Sequence, residues 1–513
     1  MNHDVVNEPA SGARAICVLG HAGAAGCVDD TNTEGQPAMD GTDSTAHSHA
    51  GSGVTAVPTR WIRFVGAGAM IAVGYMDPGN WATDLAAGAQ FGYTLLSVVL
   101  LASVAAMLLQ WTASRVGLVT GRDLAQLCRE RFGPRTARYL WITSEVAIIA
   151  CDVAEVVGSA VALQLLLGVS LTVGVVLCAV GTIALLGLKR FGSRAIEIVV
   201  TALILFVGAS FAAQLAVAHP DWHAVAQGLV PTADLVRHAG MLWLAAGILG
   251  ATVMPHNLYL HSALVKHYAH ADHGVGHVAT ACAREQDTAR RDRVTGIFIR
   301  GYRASMTGEA LPREPISPGA PALIDRALRT VGFDTFASLT FAFLINAALL
   351  ILAASVFHAA GWTQVDDLGD AHRLLSPLVG NGWSATLFAS ALLACGLNST
   401  VTGTLAGQVV MEGFMRWRLR DWQRTLLTRA LALVPALWAV AWFGPQGSNR
   451  LLVASQVVLS MQLPLAVIPL MIFAQNRQLM GQWAVRGIRG WVNWAITAAI
   501  LMLNGMLILQ FLQ

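Results

Sequence analysis

Two helix-breaking tetrapeptides, Asp77-Pro78-Gly79-Asn80 and Met254-Pro255-His256-Asn257, each interrupt an otherwise apolar segment of membrane-spanning length. Proline removes a backbone donor and clashes with the preceding turn, and glycine weakens a helix further. Inside hydrocarbon a broken helix survives only where the freed backbone lines a cavity or is buried in protein. Interrupted segments in corresponding positions of two chain halves mark the ion site of transporters built from inverted repeats. The breaks therefore constrain the fold and locate a candidate site at once.

The rest of the chain fits a membrane solvent. Of 513 residues, 55% are hydrophobic and only 12% charged, where a soluble domain carries about 25% charge. Apolar stretches near the ~20 residues that cross a bilayer recur at 61–84, 93–114, 138–167, 171–188, 195–216 and 241–265. They continue at 336–358, 385–411, 426–442, 451–473 and 491–512, giving eleven predicted spans. Lysine and arginine are retained in cytoplasmic loops. With the N-terminus inside, the inner loops take Arg115 to Arg138, Lys189 to Arg194, Lys266 with the run 284–329, 416–429, and Arg477, Arg486 and Arg489. The outer loops keep only Arg237, Arg373 and Arg450, so the expectation is N-in and C-out in the cell membrane, the inner one in a Gram-negative source. The net charge of +3 reflects these loops and calls for no nucleic-acid partner.

Residues 1–59 differ in kind, being rich in Gly, Ala, Ser, Thr, Asp and His. Such composition cannot offset the entropy of ordering, which predicts a disordered cytoplasmic tail. A transporter core over 60–474 is expected to follow, with a first repeat at 60–218 and a second at 239–474, and then an eleventh span within 475–513. The second repeat holds a long inner loop, 266–335, whose His267, His270, His273 and His277 are read as solvated rather than as a metal relay, because spacing alone fixes no geometry. Cys151, Cys178 and Cys395 fall in predicted spans as small hydrophobes. Cys128 and Cys282 fall in inner loops, where thiols stay reduced, so no disulfide framework is expected.

Asp77 is the most informative residue. A carboxylate inside a membrane segment is costly and by default marks an ion or proton path. The plainer reading is an N-cap for the second half-helix, since Asp caps well. Asn80 adds an uncharged amide, and Met254 adds a soft sulfur that favours late first-row metals over Mg²⁺ and Ca²⁺. Unwinding before Pro255 also frees the Ala251 carbonyl as a hard oxygen ligand. In the third span Glu145, Asp152 and Glu155 are spaced by seven and three, which places them near one helix face. Such a stripe must titrate or pair with cations, and Arg429 is the natural partner; a structural ion-pair cluster is the alternative.

The stretches from Gly74 to Asn80 and from Ala251 to Ser262 resemble the two signature segments of the NRAMP family, proton-coupled importers of Mn²⁺, Fe²⁺ and related divalent metals with a LeuT-like fold. Further similarity lies in Thr402 to Gln408 and in Ser455 to Pro464, in the family's order. The resemblance implies an all-α membrane protein with an inverted 5+5 repeat and discontinuous first and sixth helices. It implies a metal site of Asp77, Asn80, the Ala251 carbonyl and Met254, with Gln456 approaching the ion in some states. It further implies that Asp77, His256 and His261 take part in proton release or gating, helix packing being the plainer reading for His261. Glu145, Asp152, Glu155 and Arg429 would carry protons along a partly separate route. The metal is then substrate, the proton is the coupling ion, and neither a cofactor nor an obligate protein partner is expected.

Three departures stand out. Asp84 occupies a position where many relatives have an amide, and would add negative potential to an outer vestibule. Leu397-Asn398 replaces a Gln-Ser pair, and the 266–335 loop is longer than usual. The rival readings are a related Mg²⁺ transporter, which would lack the Met254 thioether, and a sodium-coupled solute carrier on the same fold. A membrane metalloenzyme is disfavoured, because His256 and His261 lie five apart, about 140° around a helix, and no His-Glu-x-x-His motif occurs.

Overall fold

The computed structural model describes residues 67–187, 193–266, 320–365, 368–379, 382–415, 421–443 and 448–512. Among them no strand is present. The first half contains α1 (Ala67–Gly74), α2 (Pro78–Phe91), α3 (Leu96–Thr120), α4 (Leu124–Leu167), α5 (Leu171–Gly187) and α6 (Ser193–Ala218). Two short helices, α7 (Trp222–Gly228) and α8 (Asp234–Arg237), lead into α9 (Ala239–Thr252) and α10 (Pro255–Val265). Then come α11 (Ala320–Ala353), which runs on into a π-turn at Ala354–His358, α12 (Leu368–Val379), α13 (Trp383–Met415) and α14 (Asp421–Phe443). The last helices are α15 (Ser448–Gln475), α16 (Arg477–Met480) and α17 (Ile488–Leu512).

Seven segments among the described residues are long and apolar enough to cross a membrane, on α3, α4, α6, α9 with α10, α11, α13 and α15. The other four predicted spans fall on α1 with α2, on α5, on α14 and on α17.

Both helix breaks follow from one backbone rule. Pro78 stands four residues after Gly74 and Pro255 four after Ala251, so each carbonyl loses the N–H that would close its helical turn. The chain closes α1 with tighter bonds, Tyr75 N–H to Ala72 O and Met76 N–H to Val73 O, both 3.1 Å. α9 closes with Val253 N–H to Leu249 O at 2.7 Å. Proline then opens each second half-helix, where its missing donor costs nothing.

The half-helices are held by long neighbours. α4 lies along α13 and α15, α3 along α10 and α11, and α1 against α11 and α13. Close contact of α13 with α4 depends on Gly403, because a Cβ there would press on the Asp152 and Glu155 carboxylates.

Three boundaries differ from expectation. Helix α11 starts at Ala320, so the 266–335 loop gives up its last sixteen residues to structure. The reason is packing: Leu328 and Val331 bury with Ala67, Leu118 and Val265. Helix α4 begins at Leu124, inside a predicted loop, because Asp123 and Gln126 form a reciprocal capping box; a turn at Gly133 (φ 77°) and Pro134 then separates this piece from the span. Cys128 is accordingly a buried helical residue rather than a loop thiol. The 1–59 tail, the loop histidines and Cys282 lie outside the described residues.

Candidate metal-binding site

Asp77 and Asn80 form the local unit that starts α2. Asp77 takes extended backbone as N-cap, and its Oδ1 accepts the Asn80 backbone N–H at 2.9 Å. The Asn80 side-chain Nδ2 donates to the same oxygen at 2.6 Å and to the Ala251 carbonyl at 3.2 Å. The capping role and the ligand role are therefore compatible. One oxygen caps the helix, while Asp77 Oδ2 is buried with no hydrogen-bond partner. A buried carboxylate oxygen in that condition demands a donor or a cation.

The amide nitrogen of Asn80 sits between two oxygens, where a cation would be welcome. Rotation about its last side-chain bond exchanges nitrogen for oxygen and presents an acceptor to the same point. In the present arrangement Asn80 Oδ1 is 3.4 Å from Asn346 Nδ2, which also donates to the Tyr75 carbonyl at 2.8 Å.

Met254 is fully buried at the N-cap of α10 and makes no capping bond. Its sulfur accepts from Asn257 Nδ2 at 3.5 Å, and its side chain packs with Ala147, Cys151 and Leu459. Gln456 on α15 donates to Ser455 Oγ at 3.1 Å and keeps its own Oε1 buried without a partner. Its amide rests against Gly79, where any Cβ would overlap it. Bonds thus join Asp77, Asn80 and Ala251, and Met254 and Gln456 reach the two breaks from α10 and α15.

The histidines differ from each other. His256 is buried with Nδ1 unpartnered. His261 Nδ1 stands 3.1 Å from Gln110 Oε1, and Gln110 Nε2 donates to the Tyr75 hydroxyl at 2.8 Å. That chain assigns the proton to Nδ1 of His261 and leaves Nε2 free and buried.

Of the α4 carboxylates, Asp152 and Glu155 are buried and Glu145 is half-buried. Glu155 Oε1 accepts from Ser399 Oγ at 2.6 Å, and Glu145 accepts from Trp141 Nε1 at 2.9 Å. Arg429 lies on α14, and its side chain is outside the described residues. Asp84 is buried two turns beyond Asp77. Asn398 donates to the Val200 carbonyl at 3.3 Å and ties α13 to α6.

Among the described residues no three His, Cys, Asp or Glu side chains gather around a point. A cation at the breaks would rest on one formal charge and neutral donors, an arrangement suited to release as well as capture. Gln110 and Asn346 are the participants that sequence reasoning missed. Each is an amide inside a regular helix, and nothing in its local sequence sets it apart.

The sequence model of the family described as natural resistance-associated macrophage protein-like (Nramp) matches residues 68–510. The chain is 47% identical over 457 residues to the divalent metal cation transporter MntH of Xanthomonas campestris pv. campestris, covering 88% of this chain and 91% of that one. It is 48% identical over 420 residues to the divalent metal cation transporter MntH 1 of Pseudomonas aeruginosa, covering 82% and 85%. Among solved structures it is similar to the Eremococcus coleocola manganese transporter in complex with an aromatic bis-isothiourea substituted compound. That match has a TM-score of 0.70 and 34% identity, and covers 86% of this chain and 85% of the other.

Proposed function

The chain belongs to the Nramp family, and from that membership we propose that it imports Mn²⁺ through the α1–α2 and α9–α10 breaks, with protons as the coupling ion. It is a multi-pass membrane transporter of divalent metal cations, not an enzyme. The metals beyond Mn²⁺ that it would accept are Fe²⁺, Co²⁺, Cd²⁺ and Zn²⁺. The expected setting is the cell membrane with N-in, C-out topology.

One observation carries the site: Asn80 Nδ2 bridges Asp77 Oδ1 and the Ala251 carbonyl. An incoming cation replaces that donor. It draws Asn80 into its flipped rotamer, takes Asp77 for charge, the Ala251 carbonyl for a hard oxygen and Met254 for a soft sulfur. α1 and α9 both end at the breaks, where the negative ends of their helix dipoles favour a cation, and the Ala251 carbonyl of α9 already meets the Asn80 amide. Selection for transition metals over Ca²⁺ and Mg²⁺ comes from the thioether. Asp77 is also a proton acceptor when the metal leaves, and His256 is the titratable side chain of the second break. Carboxylates Asp152, Glu155 and Glu145 give protons a second route along α4.

Uptake of Mn²⁺ into proteoliposomes, with and without an inward proton gradient, tests this reading. Faster uptake with the gradient, together with acidification of the lumen, is expected. Uptake indifferent to the gradient and without lumenal acidification would remove proton coupling. Competition by a panel of divalent metals in the same assay ranks the substrates. The related Mg²⁺ transporter remains the second reading, and Met254 stands against it.

A further inference from the structure

A cavity of about 510 Å³ opens between the end of α3, the start of α11 and the start of α17. Three arginines line it, Arg115, Arg329 and Arg489, against one carboxylate, Asp325. Asp325 is engaged by the Trp483 indole N–H at 2.7 Å. Arg115 and Arg489 share a single indole: their guanidinium carbons lie 4.7 and 5.4 Å from the centroid of the Trp111 ring. Two cations on one ring repel each other, and cation–π attraction offsets only part of that. Moreover, Arg115 Nε is buried with no hydrogen-bond partner among the described residues. The cavity therefore gathers positive charge and leaves a buried donor unsatisfied, which is the chemistry of an anion site.

The surroundings narrow the anion. Arg115 lies in the last two turns of α3, and Arg489 in the first turn of α17, so the cavity sits at a bilayer–water boundary. Its rim on the α11 side is apolar and bare: Phe333 is 77% exposed and Phe336, one turn on, is 37% exposed. A soluble anion has no use for that rim, whereas acyl chains cover it. Tryptophan and arginine at helix ends are the usual anchors at headgroup level, and basic pockets between spans bind anionic headgroups. We infer that this cavity binds the phosphate of an anionic phospholipid, with its acyl chains running over Phe333 and Phe336. The site is separate from the metal path. By holding α3, α11 and α17 together it steadies the frame against which α1 packs.

Native mass spectrometry of the full detergent-purified chain, titrated with phosphatidylglycerol or phosphatidylcholine, tests the assignment. One tightly retained phosphatidylglycerol is expected, with phosphatidylcholine bound several-fold more weakly. Arg489→Gln, an exposed position, should weaken phosphatidylglycerol binding about fivefold and leave phosphatidylcholine unchanged, and Arg115→Gln should do the same. Equal binding of both lipids overturns the proposal, as does wild-type retention in folded Arg489→Gln. Inorganic phosphate at millimolar concentration should fail to displace the lipid. If it binds and displaces it, the site is one for free anions and the lipid assignment falls.

Discussion

Asn80 donates twice to the same oxygen of Asp77, from its backbone N–H at 2.9 Å and from its side-chain amide at 2.6 Å. The second Asp77 oxygen is left buried without a partner. The half-helix α2 is thus capped by a residue that keeps half its carboxylate in reserve. This division of labour explains how one side chain can be structural and functional together.

Asp77→Asn should preserve the cap, because an amide oxygen also accepts from the Asn80 N–H. It removes the single formal charge among the proposed ligands. Mn²⁺ uptake in proteoliposomes should fall more than about 100-fold, with membrane insertion and monodispersity unchanged. Wild-type uptake in a well-inserted variant would exclude Asp77 from the site.

Replacing Met254 with Ala should alter selectivity more than total flux. Loss of the sulfur leaves oxygen donors that accept hard ions, so Ca²⁺ or Mg²⁺ should begin to compete with Mn²⁺. Cd²⁺ affinity should drop about tenfold, equivalent to ~1.4 kcal/mol. The readout is competition uptake against each ion. Unchanged Cd²⁺ affinity with Ca²⁺ still excluded would assign Met254 to its packing with Ala147, Cys151 and Leu459 alone.

If the α4 carboxylates relay protons, Asp152→Asn should uncouple the fluxes. Asp152 lies on a different helix from the proposed metal ligands, so coordination need not change. Simultaneous recording of Mn²⁺ entry and lumenal pH should show metal movement largely kept and proton movement reduced about tenfold or more. Equal loss of both fluxes would favour a single path through Asp77 and His256.

Two glycines should respond oppositely to alanine. A Cβ on Gly79 meets the Gln456 amide, so Gly79→Ala should destabilise by ~1–3 kcal/mol through overpacking and slow transport. Gly505, within α17, has open space around the same Cβ, and Gly505→Ala should stabilise by up to ~1 kcal/mol. Thermal unfolding of the detergent-solubilised variants gives the comparison; shifts of the same sign would refute the assigned contacts.

The breaks were legible in the sequence because proline acts locally, on the carbonyl four residues earlier. That rule identifies Gly74 and Ala251 without knowledge of the fold. Asp77 was legible for its cost in hydrocarbon. Gln110 and Asn346 were not, because only tertiary packing brings them to His261, 151 positions away, and to Asn80, 266 positions away. The early start of α11 was hidden for a similar reason. Its first turns are stabilised by burial against Ala67, Leu118 and Val265, which are distant in the chain.

The account depends on a cation resting among Asp77, Asn80, the Ala251 carbonyl and Met254. Anomalous X-ray diffraction from crystals grown with Mn²⁺ locates that cation without reference to transport. The predicted result is one strong peak within coordination distance of Asp77 Oδ2, the Asn80 amide oxygen, Ala251 O and Met254 Sδ, absent from Asp77→Asn crystals. A fully occupied Mn²⁺ peak elsewhere, with the Asn80 amide still bridging Asp77 and Ala251, would contradict it.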